Sequence, residues 1–401
     1  MNTNTHHQHS ALKFFFVMVF LAVTAVASAE HIKIIHGPYL QNVKPNEATI
    51  VFETDSLSMA WVEIGPNDGT SFYSFHHPKY FDTVSGIKKI SKLHAVTVTG
   101  LKPGTTYRYR VFGKELLERN GVDVKFGRTA STDVYTKDPL TFTTFDTQKP
   151  ETSFIMVNDI HQAKGLMTKL FNYTDYKNKD FVVFNGDMVS WLDARDTLFT
   201  GFMNEAIRLF AQEKPIVYTR GNHETRGKCA NDLQLYFNPH EPHLYYSFRE
   251  GPIYFIVLDT GEDKCDDDIE YNGLNDFDTY RTSQAAWIST VADDEDFKTA
   301  RFHVVICHMP PLIAPDSWHG QRDVMDKFVP ELNKLGIDLM LCGHLHEYVY
   351  AEPNEQVKFP VLVNSNTGIA DVQTKGNALS VTVYDVNGKV TTKKEFKAKE
   401  K

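Results

Sequence analysis

Residues of metal-binding type recur at the ends of apolar runs in this chain. Asp159 and His161 follow the run 154–157, and Gly186-Asp187 follows 181–184. Gly221-Asn222-His223-Glu224 follows 216–218, His308 follows 302–306, and Gly343-His344-Leu345-His346 follows 337–341. Carboxylates, an amide oxygen and imidazoles make a mixed oxygen and nitrogen set suited to Mn, Fe or Zn. The set is too large for one tetrahedral ion, and a carboxylate can bridge two ions. His223 is of a type that donates a proton near neutral pH, and Glu224 can hold an imidazole in orientation. Taken singly, Asp159 and Asp187 also fit helix N-caps, and a lone histidine fits a satisfied core residue. The repetition of one chemistry at successive strand ends is what points to metal.

The elements that must position these residues follow from periodicity. After residue 151, apolar runs alternate with helix-compatible segments at 163–173 and 199–212, the mark of an α/β layer arrangement. In such a fold, loops at the carboxyl ends of the strands gather on one edge. The stretch 30–146 reads instead as short strands and turns, with strands expected at 47–54, 59–64, 93–98, 107–111 and 140–145. Pro103-Gly104 precedes Tyr107-x-Tyr109-x-Val111, and a tyrosine there can return its hydroxyl to the corner of a β-sandwich. Residues 113–139 exceed an ordinary hairpin loop and read as a solvated loop or an inserted flap. Residues 146–151 are the expected linker. At the end, 378–385 alternates as a strand and turns through Asn387-Gly388 into 390–396.

Composition narrows the function. A formal net charge of −9 over 401 residues argues against a nucleic-acid coat-type binder. It does not exclude a phosphate-containing substrate, because bound cations would dominate the local field. The apolar stretch 14–23, preceded by Lys13 and followed by Ala27-Ser28-Ala29, reads as a cleavable signal peptide over 1–29. No later stretch is long and apolar enough to cross a bilayer, so a secreted or periplasmic protein is expected. In an oxidising compartment Cys229 and Cys265 have the polar context for a disulfide; Cys307 and Cys342 read as small core residues. His319 and the acidic run Asp266-Asp267-Asp268 read first as surface features.

The five motifs together resemble the calcineurin-like metallophosphoesterase superfamily over residues 151–396. The part before them begins Gly37-Pro38-Tyr39-Leu40-Gln41 and resembles the domain that precedes the catalytic part of purple acid phosphatases. The expected fold is therefore multidomain α+β: a fibronectin type III-like β-sandwich over 30–146, then an α/β metallophosphoesterase domain built as a two-sheet sandwich flanked by helices. The resemblance implies two divalent or mixed-valence transition metal ions (Fe, Mn or Zn). One would be held by Asp159, His161 and His346, the other by Asn222, His308 and His344, with Asp187 between them. It implies in-line attack on phosphorus by a metal-bridging hydroxide. His223 would protonate the leaving oxygen and Glu224 would orient His223; binding phosphate is the alternative role for His223. Two positions depart from purple acid phosphatases, which carry Asp-x-Gly and Gly-Asp-x-x-Tyr where this chain has His161 and Ser190. The tyrosinate ligand is thus missing, and His161 reads as the replacement. The function expected is phosphomonoester hydrolysis, with phosphodiesters as the alternative. A catalytically silent adhesion or carbohydrate-binding protein is the reading from a different class.

Overall fold

The structure, a computed structural model, describes residues 31–398; the expected signal segment lies outside them. The N-terminal part is a β-sandwich organised on one long strand, Glu47–Pro66. Its first half pairs with Ile34–Gln41 and Ile90–Thr99, and its second half with Thr106–Asn120 and Lys79–Phe81. The single strand thereby serves both layers. Two separate strands were expected here, with a turn between them. Instead the chain stays extended through Asp55, Ser56 and Leu57, and the pairing register slips between Glu53 and Ser58. A bulge of this kind re-aims a strand without ending it.

A second correction concerns 113–139. Most of it is neither loop nor flap: Thr106–Asn120 and Asp123–Ser131 form a long antiparallel hairpin closed at Gly121. Charged residues on both faces of this projecting ribbon hid the alternation that marks a half-buried strand. The corner tyrosine is present, with the Lys102 backbone N–H donating to the Tyr107 hydroxyl at 3.0 Å.

Past residue 151 two six-stranded sheets face each other. In the first, Ser153–Val157, Phe181–Asn185 and Ile216–Thr219 run parallel, and the C-terminal strands Gly368–Lys375, Ala378–Asp385 and Val390–Lys397 extend the other edge. In the second, Ile253–Val257, Phe302–Ile306, Leu339–Cys342 and Val361–Val363 are parallel. Alternation sorts their side chains. Phe154, Met156, Phe255 and Val304 meet between the sheets. Ile155, Val157 and Phe184 turn outward onto Leu170, Phe202 and Phe210 of the helices on one side. Ile256, Val305 and Met340 turn out onto Ile288, Phe328 and Leu332 on the other. Strands buried on both faces must be apolar throughout, which is why they read as continuous runs.

The sandwich is bonded to the α/β layers. The Tyr39 hydroxyl donates to the Tyr236 carbonyl at 3.0 Å, and the Tyr109 hydroxyl donates to the carbonyl of Gln212. Among the described residues no helix is long and apolar enough to cross a membrane. Cys229 and Cys265 are both free thiols rather than a bridge. Cys307 and Cys342 are buried, as expected, with their sulfurs 3.6 Å apart.

Candidate metal centre

Parallel pairing brings the expected ligands together. Each parallel strand ends at the same edge, so the residues that follow Val157, Asn185, Thr219, Ile306 and Cys342 share one cleft. The backbone there is unusual. Asp159, His161, Asp187, His344 and His346 all have positive φ, between 45° and 73°. Asp, Asn and His tolerate this region better than other side chains, and its concentration at one place marks a site where geometry outranks backbone comfort. Gly221 and Gly343 are needed for close approach: a Cβ on Gly221 would overlap the Asp187 carboxylate, and one on Gly343 would press on Asp159.

The ionisable groups fall into two overlapping clusters, Asp159, His161, Asp187 and His346 in one, Asp187, His308 and His344 in the other. Asp187 belongs to both. Its Oδ2 lies 3.1 Å from His308 Nε2 and 3.8 Å from His161 Nε2. His346 Nε2 is 3.3 Å from Asp159 Oδ1 and 3.2 Å from His161 Nε2. Asn222 Oδ1 joins the second group at 3.1 Å from His344 Nδ1. All seven expected ligands are thus brought together.

Each carboxylate spends one oxygen on the backbone and points the other into the cluster. Asp159 Oδ2 accepts the His344 N–H at 2.9 Å, and Asp187 Oδ1 accepts the His223 N–H at 2.9 Å. His308 Nδ1 lies 2.8 Å from the Asn185 carbonyl, which fixes the tautomer that turns Nε2 inward. His161 Nδ1 lies 3.2 Å from the Ser190 hydroxyl, which steadies the ring.

Two buried atoms in the cluster, Asp159 Oδ1 and His308 Nε2, have no hydrogen-bond partner. A buried polar atom left unpaired costs about 1–3 kcal/mol, so one such atom in each cluster fits a cation at each. The electrostatics agree. Burial opposes charge on Asp187, yet His308 and His223 hold its carboxyl well below the usual range. Burial likewise opposes charge on His308, but Asp187 and Asp159 drive it up to about 10. A site this negative at its centre draws positive charge from whatever is near. Burial and the neighbouring His308 push His344 down to about 4, leaving it neutral and able to offer a lone pair.

The expected partnership of Glu224 with His223 is not what the fold makes. Glu224 is fully buried, and its carboxylate accepts backbone N–H groups of Gly221 and Asp187 (both 2.9 Å) and of Met188 (2.6 Å). It clamps the loop that carries Asp187. The reason is reach: the turn His223–Thr225 sends consecutive side chains in different directions, and Glu224 points back under the sheet edge. His223 is instead oriented by the Ser190 carbonyl, 3.0 Å from Nδ1, and by Arg226, whose Nη1 lies 3.3 Å from both ring nitrogens. Its Nε2 remains on the cluster side, 3.9 Å from Asp187 Oδ2.

The fourth apolar run carries supporting residues that sequence reasoning left out. Asp259, Glu262 and Asp263 follow it, and all are buried. Asp263 accepts from Asn222 Nδ2 at 3.0 Å, which turns the Asn222 oxygen toward His344. Burial and the adjoining Glu262 raise Asp263 to about 7. Glu262 takes the Arg226 guanidinium at 2.9 and 3.0 Å, and Asp259 takes Arg220 at 2.7 Å. A signal existed: three acids directly after a buried strand in the same series. His319 is tied to Asp278 at 2.8 Å in a group that includes Asp323. Arg281 and Lys327 neutralise that group, so it reads as an ion-pair network.

Comparison with known proteins bears on this arrangement. Residues 152–348 match the calcineurin-like phosphoesterase family, and 36–144 match the purple acid phosphatase N-terminal domain. The chain is 26% identical to purple acid phosphatase 22 of Arabidopsis thaliana over 301 residues, 71% of this chain and 58% of that protein. It is 24% identical to purple acid phosphatase 21 of the same plant over 329 residues, 76% of this chain and 63% of that one. It thus spans about three fifths of the length of these relatives. The structure of a purple acid phosphatase from yellow lupin (Lupinus luteus) seeds superposes with a TM-score of 0.64 at 14% identity, covering 89% of this chain and 73% of that one. The fold is shared along nearly the whole described chain.

Proposed function

We propose that this chain, a calcineurin-like phosphoesterase domain behind a purple acid phosphatase N-terminal domain, is a dinuclear metal-dependent phosphohydrolase. The observation that carries the reading is the pair of buried atoms without a hydrogen-bond partner, Asp159 Oδ1 and His308 Nε2, one in each of two clusters of carboxylates and imidazoles that share Asp187. Asp159, His161 and His346 would hold one ion, and Asn222, His308 and His344 the other, with Asp187 shared. Two divalent or mixed-valence ions of Fe, Mn or Zn held there would supply the positive charge that favours phosphate oxygens and lets water give up a proton to solvent as hydroxide.

The protein's own residues do the rest. Glu224 and Asp263 keep Asp187 and Asn222 in place through the bonds described above. The Ser190 carbonyl holds the His223 ring with Nε2 toward the cluster. From there His223 would give a proton to the departing oxygen. Arg226, fixed by Glu262, stands where a phosphate oxygen passing His223 would meet a positive charge.

Phosphomonoesters are the first substrate class. Phosphodiesters are the second reading, favoured by a cavity of about 720 Å³ with His344 in its wall. A silent adhesion scaffold would be expected to lose the cluster, and here all seven expected ligand residues are present, with His161 beside Ser190 where the tyrosine is absent. The signal-like start of the sequence supports secretion. The test is Asp187→Asn, assayed with an aryl phosphate and a bis-aryl phosphate alongside metal analysis. Loss of turnover on both substrates with loss of bound metal is expected; undiminished turnover of either would sink the two-ion reading.

A further inference from the structure

The cavity of about 720 Å³ shares His344 with the metal cluster, yet the rest of its wall is unlike a phosphate site. Its two carboxylates, Asp316 and Glu347, have no ion-pair partner among the described residues. The neighbouring cation, Arg322, is spent on backbone. It donates to the carbonyls of Ala314, Pro315 and Ser317 at 3.1, 3.0 and 3.1 Å, which fixes the loop that carries Asp316. Trp318 stands next in the wall and is 52% exposed. Its ring already draws one ammonium, Lys264 Nζ, to 5.7 Å from the ring centre, and that lysine is itself committed to Glu270 at 2.8 Å. Gln321 supplies an independent observation. It is 4% exposed and lines the cavity, and its side-chain amide makes no hydrogen bond among the described residues. Buried amides are normally paired, so a polar group entering the cavity would meet a partner ready for it.

Charge decides what enters. An indole face attracts a cation, unpaired carboxylates answer its charge, and the Gln321 carbonyl can accept an N–H. A second anionic group on the substrate would be repelled by the same carboxylates. We infer that the cavity binds an ammonium-bearing organic group attached to the substrate's phosphate, so that esters of amino alcohols are the favoured substrates. A phosphate at the cluster has this cavity beside it, because His344 belongs to both. The apolar Ile313 and Leu345 in the same wall would receive the methylene chain between phosphate and ammonium. The volume leaves room for a longer organic body as well. The inference rests on the phosphohydrolase reading and names the organic group within it.

The test uses the full-length metal-loaded protein and two readouts. Aminoethylphosphonate and propylphosphonate, alike in shape and different in charge, are titrated by calorimetry, and kcat/KM is compared for phosphoethanolamine and propyl phosphate. The aminoethyl compound is expected to bind about fivefold more tightly or better. Trp318→Leu, which keeps an apolar side chain, and Asp316→Asn, which keeps the shape, are each expected to cut that affinity ratio about two- to fivefold. Both positions are exposed, so neither substitution threatens the fold. Equal affinity for the two phosphonates, or a ratio indifferent to both substitutions, overturns the ammonium site. The two failures are separable. Phosphonates bound with the expected preference while neither ester is hydrolysed would overturn the phosphohydrolase reading. Both esters hydrolysed with no preference in binding or turnover would overturn only the ammonium site.

Discussion

Glu224→Ala separates two accounts of the same residue. If Glu224 orients His223, its loss lowers turnover and leaves the fold nearly untouched. The structure assigns it a different task. Its carboxylate receives the N–H groups of Gly221, Asp187 and Met188 at 2.6–2.9 Å, in a place with no access to water. Alanine leaves three buried donors without an acceptor. At about 1–3 kcal/mol for each unmet donor, the full sum would be about 3–9 kcal/mol, and local relaxation or an entering water brings the expectation to about 3–5 kcal/mol. Loops bearing Asp187 and Asn222 would also lose their common anchor, so metal content should fall together with stability. The assay is urea denaturation of the wild type and the variant at pH 8. That pH lies above the value of about 7 to which burial and Asp187 push the Glu224 carboxyl, so the native side chain is ionised. Metal content and kcat are measured on the same preparations. A variant within about 1 kcal/mol of wild type that keeps its metal and loses only turnover would refute the clamp and restore the orienting role.

Three further outcomes are expected. Burial pushes Glu250 up to about 8, against the Asp146 N–H and Lys149 that favour its charge, so it carries a proton in the folded protein at pH values where the unfolded chain has lost it. Its contribution is full below the unfolded carboxylate range and is lost as pH rises to about 8, at up to about 1.4 kcal/mol per pH unit; Glu250→Gln should flatten that fall, and parallel denaturation curves at pH 5 and pH 9 would contradict it. Tyr107→Phe removes the acceptor of the Lys102 N–H and should cost about 1 kcal/mol in urea denaturation. Iron-loaded protein should show no tyrosinate charge-transfer band in its visible spectrum, because Ser190 stands at the tyrosine position; a purple colour would contradict the His161 assignment.

The α/β layers were legible because burial on both faces leaves a strand few polar positions. Runs such as 181–184 and 302–306 therefore announced themselves, and their order fixed which loops would meet. The sandwich was less legible. In Glu47–Pro66 the polar Asp55, Ser56 and Ser58 mark a bulge inside one strand, and a single sequence writes a bulge and a turn with the same residues. In the hairpin of 106–131 both faces of the ribbon meet water beyond the sheet, so the period-two signal fades although the backbone pairing continues.

For the metal centre, the residues that point inward were readable and those that hold them were not. Ligand types are few, and their recurrence at strand ends is a pattern in one dimension. Support is a matter of direction. Nothing in Gly-Asn-His-Glu says that the glutamate turns back under the Asp187 loop while the histidine turns out, since both follow from a single short helical turn. The acids at 259, 262 and 263 stood at the one strand end that seemed to offer no ligand. Their use becomes visible only when Asn222, Arg220 and Arg226 are seen to arrive beside them. An amide ligand explains why such support is needed. Asn222 is uncharged and can present either its oxygen or its nitrogen; the Asp263 carboxylate accepts from the nitrogen and so commits the oxygen to the cluster. The strand end without a ligand is therefore the one that decides which atom of a ligand the metal would meet.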